Sequence, residues 1–132
     1  MMTYNDALNA LNTATAKANQ LNIAVTIAVV DAGGHLLALA RLDSMYGVVD
    51  FAIKKAKTAV MFGVDSDIMG TIVSSAEVHG YGMLNSNHGI FTIAGGVVIK
   101  DKSGKIIGAI GSSGGTPEQD KEIAAAGANL FN

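Results

Sequence analysis

The residues of this chain that could do chemistry fall into two stretches and one isolated arginine. The first stretch is Gly108-Ala109-Ile110-Gly111-Ser112-Ser113-Gly114-Gly115-Thr116-Pro117-Glu118-Gln119-Asp120. It reads as a buried strand, a glycine- and serine-rich turn and a helix start. Thr116 is a good N-cap, because its hydroxyl can accept a backbone N–H that the first helical turn leaves unpaired. Pro117 suits the first helical position, where a missing N–H costs nothing. Gln119, three residues after the cap, completes a capping box. Free amides and the positive end of a helix would then face a small loop, a geometry that can hold an anion on Ser113, Gly114, Gly115 and Thr116. The plainer alternative is a capped corner that packs tightly and binds nothing. Arg41 could clamp a carboxylate through two parallel hydrogen bonds; otherwise it would pair with Asp43, with Asp31 or with another subunit. The second stretch, Ser74 to Gly89, has no clear period and holds His79, Tyr81 and His88, so that two of the three histidines and one of the three tyrosines lie there. Irregular segments of this length often carry function, although these side chains could equally be plain surface. His35 follows a tight turn and reads as a solvated turn residue.

Other chemistries are poorly supported. There is no Gly-x-Ser-x-Gly elbow and no Walker loop, and the glycine turn lacks the lysine that a phosphate cradle needs. Glu77 and His79 are two residues apart, whereas a helical metal pair needs a spacing of i, i+4. The chain has no cysteine, hence no disulfide, thiolate site or cysteine nucleophile. No carboxylate pair has an obvious acid–base partner, so no catalytic constellation emerges. Any reaction would draw its reactivity from a cofactor.

The elements that must position these residues follow from pattern. Thr3 opens a helix whose buried face runs through Leu8, Leu11, Thr15 and Ala18, with Asn22 as a left-handed stop. Two apolar runs, Ile23–Val30 and His35–Arg41, flank Asp31-Ala32-Gly33-Gly34 and predict a β-hairpin. Neither run alternates with polar residues, so both faces of the sheet should be covered. A second helix spans about Tyr46 to Phe62, with Ala52, Ala56, Ala59 and Val60 inward and Lys54, Lys55 and Lys57 on the solvated side. A short third helix, capped by Asp65 or Ser66, runs through Val73. Ile90–Ile93 predicts a strand. Val97–Lys100 and Lys105–Ile110 predict a second hairpin around Asp101-Lys102-Ser103-Gly104. A last helix from Pro117 to about Asn129 turns Ile123, Ala126 and Leu130 inward. The order α-β-β-α-α-β-β-β-α, built on hairpins, predicts an α+β domain with an antiparallel sheet.

At 132 residues the chain should form one domain, residues 1–132, burying about two-thirds of its unfolded surface. It is 49% hydrophobic and only 15% charged, which is apolar for its size and suggests that other subunits cover part of its surface. A net charge of -2 argues against nucleic acid and against a polybasic membrane surface as partners. No apolar run is long enough to span a membrane, and Met1–Asp6 lacks the basic start of a signal peptide. A cytoplasmic location is the simplest expectation.

The chain resembles the GlcG/HbpS-like haem-binding family, which also supplies the C-terminal domain of PduO-type proteins. The resemblance rests on Val29–Ala38 with Arg41-Leu42-Asp43, on Lys54-Lys55-Ala56-Lys57-Thr58-Ala59, on Gly95-Gly96-Val97, and on Gly108–Asp120 with Ala124–Gly127. No motif among these is catalytic, but their order and spacing are specific and span nearly the whole chain. The resemblance implies a profilin-like domain with a five-stranded antiparallel sheet. It also implies homo-oligomers, often tetramers or octamers, and a role in haem handling or beside glycolate or diol metabolism. The adenosyltransferase activity of PduO-type proteins resides in a separate N-terminal domain and is not implied. Where the family commonly has a proline after Gly-Gly-Val, this chain has Val98, and Ser112-Ser113 stands where Val-Ser is usual. Haem iron accepts histidine, tyrosine, cysteine or methionine. That makes His79, Tyr81 and His88 the candidate ligands, His79 and His88 foremost for the iron. Arg41 and the Ser113–Thr116 turn could then hold a propionate. A protein acting on a small carboxylate, hydroxy-acid or aldehyde is the alternative, and a purely structural assembly module is a third.

Overall fold

The computed structural model describes residues 1–132. Helix α1 spans Tyr4–Leu21. Thr3 Oγ1 accepts from the Asp6 amide, and the Asp6 carboxylate accepts from the Thr3 amide, so the cap is reciprocal. Asn22, at φ 56° and ψ 49°, ends the helix as expected. Its buried stripe is Ala7, Ala10, Leu11, Ala14 and Ala18, rotated slightly from the expected one, and Leu8 and Thr15 stand at its margin. The reason is proximity: small side chains let α1 lie close against the C-terminal helix.

Strands β1 (Thr26–Asp31) and β2 (Leu36–Arg41) form the first hairpin. The Asp31 carboxylate accepts from the Gly33 and His35 amides, and Gly34 takes a φ of 82° that side chains avoid. Helix α2 spans Tyr46–Phe62 and stops at Gly63. Helices α3 (Ser66–Ser75) and α4 (Val78–Tyr81) follow, then a short 3-10 turn at Ser86–His88. The stretch expected to be irregular therefore contains a helical turn. Strands β3 (Gly96–Lys100) and β4 (Ile106–Ser113) form the second hairpin, closed by the Asp101 carboxylate in the same manner as the first. Helix α5 spans Pro117–Ala128. No helix is long and apolar enough to cross a membrane.

The sheet is antiparallel throughout, in the order β2-β1-β4-β3. It has four strands, not the five expected. Ile90–Ile93 makes no ladder, because side chains of the helices satisfy its backbone. The Phe91 amide donates to Thr58 Oγ1, and the Ile93 carbonyl accepts from Ser66 Oγ. Phe91 stacks on Phe51, with ring centroids 4.4 Å apart. The chain returns to the sheet at Gly95, whose carbonyl accepts from the Ser112 amide. The Val98 amide, which a proline would lack, donates to Asp65 Oδ1. Val98 lies on an edge strand, the position where a sheet tolerates proline.

Central strands β1 and β4 are covered on both faces. On one side Val25, Ile27, Val29, Ile99, Ile110 and Ile123 pack with the alanines of α1 and α5. On the other, Val30 and Ala109 meet Ala56, Ala59 and Val60 of α2. Leu130, expected inward, is half exposed beyond the end of α5, whose buried residues include Ile123, Ala124 and Gly127. Helix α2 sits unusually close to the sheet. A Cβ built on Gly111 would lie 2.1 Å from the Ala52 carbonyl oxygen, and one on its cross-strand partner Gly96 would lie 2.2 Å from the Lys55 carbonyl oxygen. Two paired glycines thus form the seat for one helix.

Candidate functional site

The close seating of α2 has a consequence for Lys55. Expected on the solvated side, it is 2% exposed. Its Nζ donates to Asp120 Oδ2 and to the Ser112 carbonyl, each at 3.0 Å. Asp120, on the first turn of α5, is equally buried, and its Oδ1 accepts from the Gly115 amide at 2.9 Å. The pair ties α2 to β4 and α5. Burial pushes the Lys55 ammonium below the usual lysine range, and the Asp120 charge opposes that shift. Periodicity held the signal for this: Ala52, Lys55, Ala56 and Ala59 form one i, i+3, i+4, i+7 stripe. The rule that lysine stays outside unless paired pointed the other way, because its partner lay 65 residues further on.

The expected capping box is present. Thr116 Oγ1 accepts from the Gln119 amide, and Gln119 Oε1 accepts from the Thr116 amide. The amides of Gly115 and Thr116 are therefore engaged by Asp120 and Gln119 of the same chain. The carboxylate at this helix start is the protein's own. Beside the ion pair opens a cleft of about 270 Å³. Ser113, Gly114 and Gly115 border it together with the stacked rings of Phe51 and Phe91.

A second cleft, of about 240 Å³, lies between the β1–β2 turn, α2 and the end of the segment that follows α4. His35 and His88 both line it, with Lys54 and Lys57. Lys54 pairs with Asp50 at 3.3 Å across one helical turn, whereas Lys57 pairs with no carboxylate. Asn87, His88 and Gly89 take φ values of 55°, 63° and 95° in succession. Glycine takes such a φ freely and asparagine tolerates it, so the strain falls on His88, and strain of this kind concentrates at functional positions. His35 is exposed, as its place after the turn predicts, and it also lines this cleft.

The other candidates lie apart. His79 and Tyr81 are exposed on α4 and line neither cleft. Arg41 pairs with neither Asp43 nor Asp31. Its Nε and Nη2 donate to the Ser44 carbonyl at 3.0 and 2.7 Å, and its guanidinium lies 5.0 Å from the centre of the Tyr46 ring.

A four-stranded antiparallel sheet, flanked by α1 and α5 on one face and α2 on the other, with a self-capped glycine turn at the end of β4, defines an α+β domain, and the two clefts described lie along α2. Residues 2–129 match the family described as haem degrading protein HbpS-like, and the chain belongs to that family. A Citrobacter freundii protein, the uncharacterized 15.0 kDa protein in the dhaT-dhaS intergenic region, is 34% identical over 119 residues, which are 89% of this chain and 82% of that one. The crystal structure of Klebsiella pneumoniae protein ORFY superposes with a TM-score of 0.89 at 28% identity, covering 98% of this chain and 89% of that one. The crystal structure of a PduOC:heme complex superposes with a TM-score of 0.88 at 27% identity, covering 98% and 94%.

Proposed function

We propose that this protein handles haem or a related tetrapyrrole, and that the cleft shared by His35 and His88 is where the iron is held. The observation that carries this reading is the convergence of two imidazoles with the ammonium groups of Lys54 and Lys57 in one cleft. Imidazole nitrogen is an axial ligand of haem iron, and ammonium groups suit the two propionates. The donor set therefore fits the group. Bound haem would supply the redox and ligand-binding chemistry of its iron. The protein's own part would be to hold and orient the ring, with His35 or His88 as the axial donor and Lys57, free of any carboxylate, as the first propionate anchor. Kinship with a protein crystallised with haem supports the same reading.

The cleft is smaller than the roughly 300 Å³ at which pockets begin to enclose a ligand. A macrocycle held there would keep one face outside, so we expect a second subunit to cover it. Exposed apolar side chains such as Met45, Tyr46 and Val78 are available for such contacts. His79 and Tyr81 on α4 form the second donor set to be tested. Titration of the apo-protein with hemin should give a saturable Soret shift, altered in position by His35→Ala and His88→Ala and unaltered by His79→Ala or Tyr81→Phe. A Soret band unchanged in the His35→Ala/His88→Ala double variant would overturn the assignment.

A further inference from the structure

The cleft beside Lys55 and Asp120 has no part in the reading above. Lys55 and Asp120 are among its lining residues, with Nζ 3.0 Å from Asp120 Oδ2 and the side chains 2% and 3% exposed. Gly95 packs its backbone close to the amine, since a Cβ there would lie 2.8 Å from Nζ, so any approach to Nζ is from the cleft side. Val48, Phe51, Phe91 and Ile93 give it an apolar side. Lys55 is its sole cationic lining residue and Asp120 its sole anionic one.

We propose that Lys55 forms a reversible Schiff base with a small neutral aldehyde admitted to this cleft. Asp120 takes one proton from the ammonium, which frees the nitrogen lone pair. That pair attacks the carbonyl carbon to form the C–N bond, and the carbonyl π pair moves to oxygen. A proton shift from nitrogen to oxygen gives the neutral carbinolamine. Asp120 then returns its proton to the carbinolamine hydroxyl, which departs as water. The sum is aldehyde plus lysine ammonium giving protonated imine plus water, with no change of oxidation state. Burial of the amine favours its neutral, nucleophilic form, as in other desolvated lysines. Charge selects the substrate class. The ammonium and carboxylate already balance, so the carboxylate of an α-keto acid would enter without a partner. The phenylalanine-lined walls suit a short alkyl chain, and about 270 Å³ admits only a small one.

The test is reductive trapping on the full chain with propanal and sodium cyanoborohydride near neutral pH, read by peptide mass mapping. Lys55 should be propylated before the exposed lysines, and the same treatment with pyruvate should leave it unmodified. The adduct should be lost in Lys55→Met, and Asp120→Asn should slow its formation. Should either variant fail to fold, mapping of the parent protein still decides. Propylation confined to exposed lysines, or reaching Lys55 only after denaturant is added, would overturn the proposal, and so would equal trapping of pyruvate. Haem binding plays no part in this readout, so the two readings stand or fall separately.

Discussion

Replacing Asp120 with alanine strips the buried Lys55 ammonium of its counter-charge and the Gly115 amide of its acceptor. Removing one partner of a buried ion pair costs about 3–5 kcal/mol. An orphaned buried amide adds about 1–3 kcal/mol. Part of the first cost is relieved if Lys55 sheds its proton, a change that burial already favours. A net loss of about 4 kcal/mol follows, which for a domain of this size is a fall in Tm of about 12 °C. Circular dichroism melts and urea unfolding would measure it. The decisive variant is Lys55→Met/Asp120→Ala, which removes both charges and keeps most of the aliphatic stem. It should recover at least about 2 kcal/mol relative to the sum of the single losses.

The pH dependence has a definite sign. The Lys55 pKa in the folded state is below its ordinary 10.5, so between the two values the unfolded chain binds more protons and stability rises with pH. Asp120→Ala lowers the folded value further. Its penalty should therefore be greatest at neutral pH and shrink as pH rises toward 10.5. An Asp120→Ala protein melting within about 3 °C of the parent, less than 1 kcal/mol, would refute the reasoning, and so would single losses that simply add.

Three further outcomes follow from other positions. Gly111→Ala sets a methyl 2.1 Å from the Ala52 carbonyl oxygen, so α2 must lift; urea unfolding should show a loss of about 3 kcal/mol. Gly104→Ala, in an open turn at φ 85°, should lose only about 1 kcal/mol from backbone strain. Lys121 is held above 10.5, first by its hydrogen bond to Asp67 and despite some desolvation. Its contribution is present below 10.5 and is lost as pH rises through the higher folded value. The group is 37% exposed, so Asp67→Asn should cost under about 1 kcal/mol at neutral pH and nothing in strong alkali, as thermal melts across pH would show.

Local chemistry was legible in the residues wherever it closed within a few positions. The helix start at Thr3, Thr116 with Gln119, the stop at Asn22 and the two hairpin turns are all short-range devices, and each is present. What escaped depends on partners distant in sequence. Ile90–Ile93 has the composition of a strand, but its hydrogen bonds go to Thr58 and Ser66. Lys55 carries a charge that reads as exposed until Asp120 is brought beside it. His35 and His88 are separated by the whole of α2, α3 and α4, so their shared cleft exists only once the β1–β2 turn lies across α2. Ser113, Gly114 and Gly115 were recognisable as a turn; that its amides face an internal carboxylate was not.

The order β2-β1-β4-β3 also bears on how the chain is made. Each hairpin can close while the polypeptide is still emerging, but the central pairing joins Thr26 to Ser113 and Asp31 to Gly108. Contacts so remote form late, after the loop between them has been brought together. Asp120 follows the last of these strands. Until it has left the ribosome, Lys55 has no counter-charge, and α2 cannot settle on its glycine seat without burying a bare cation. The close seating of α2 on the sheet thus waits for the segment that carries Asp120.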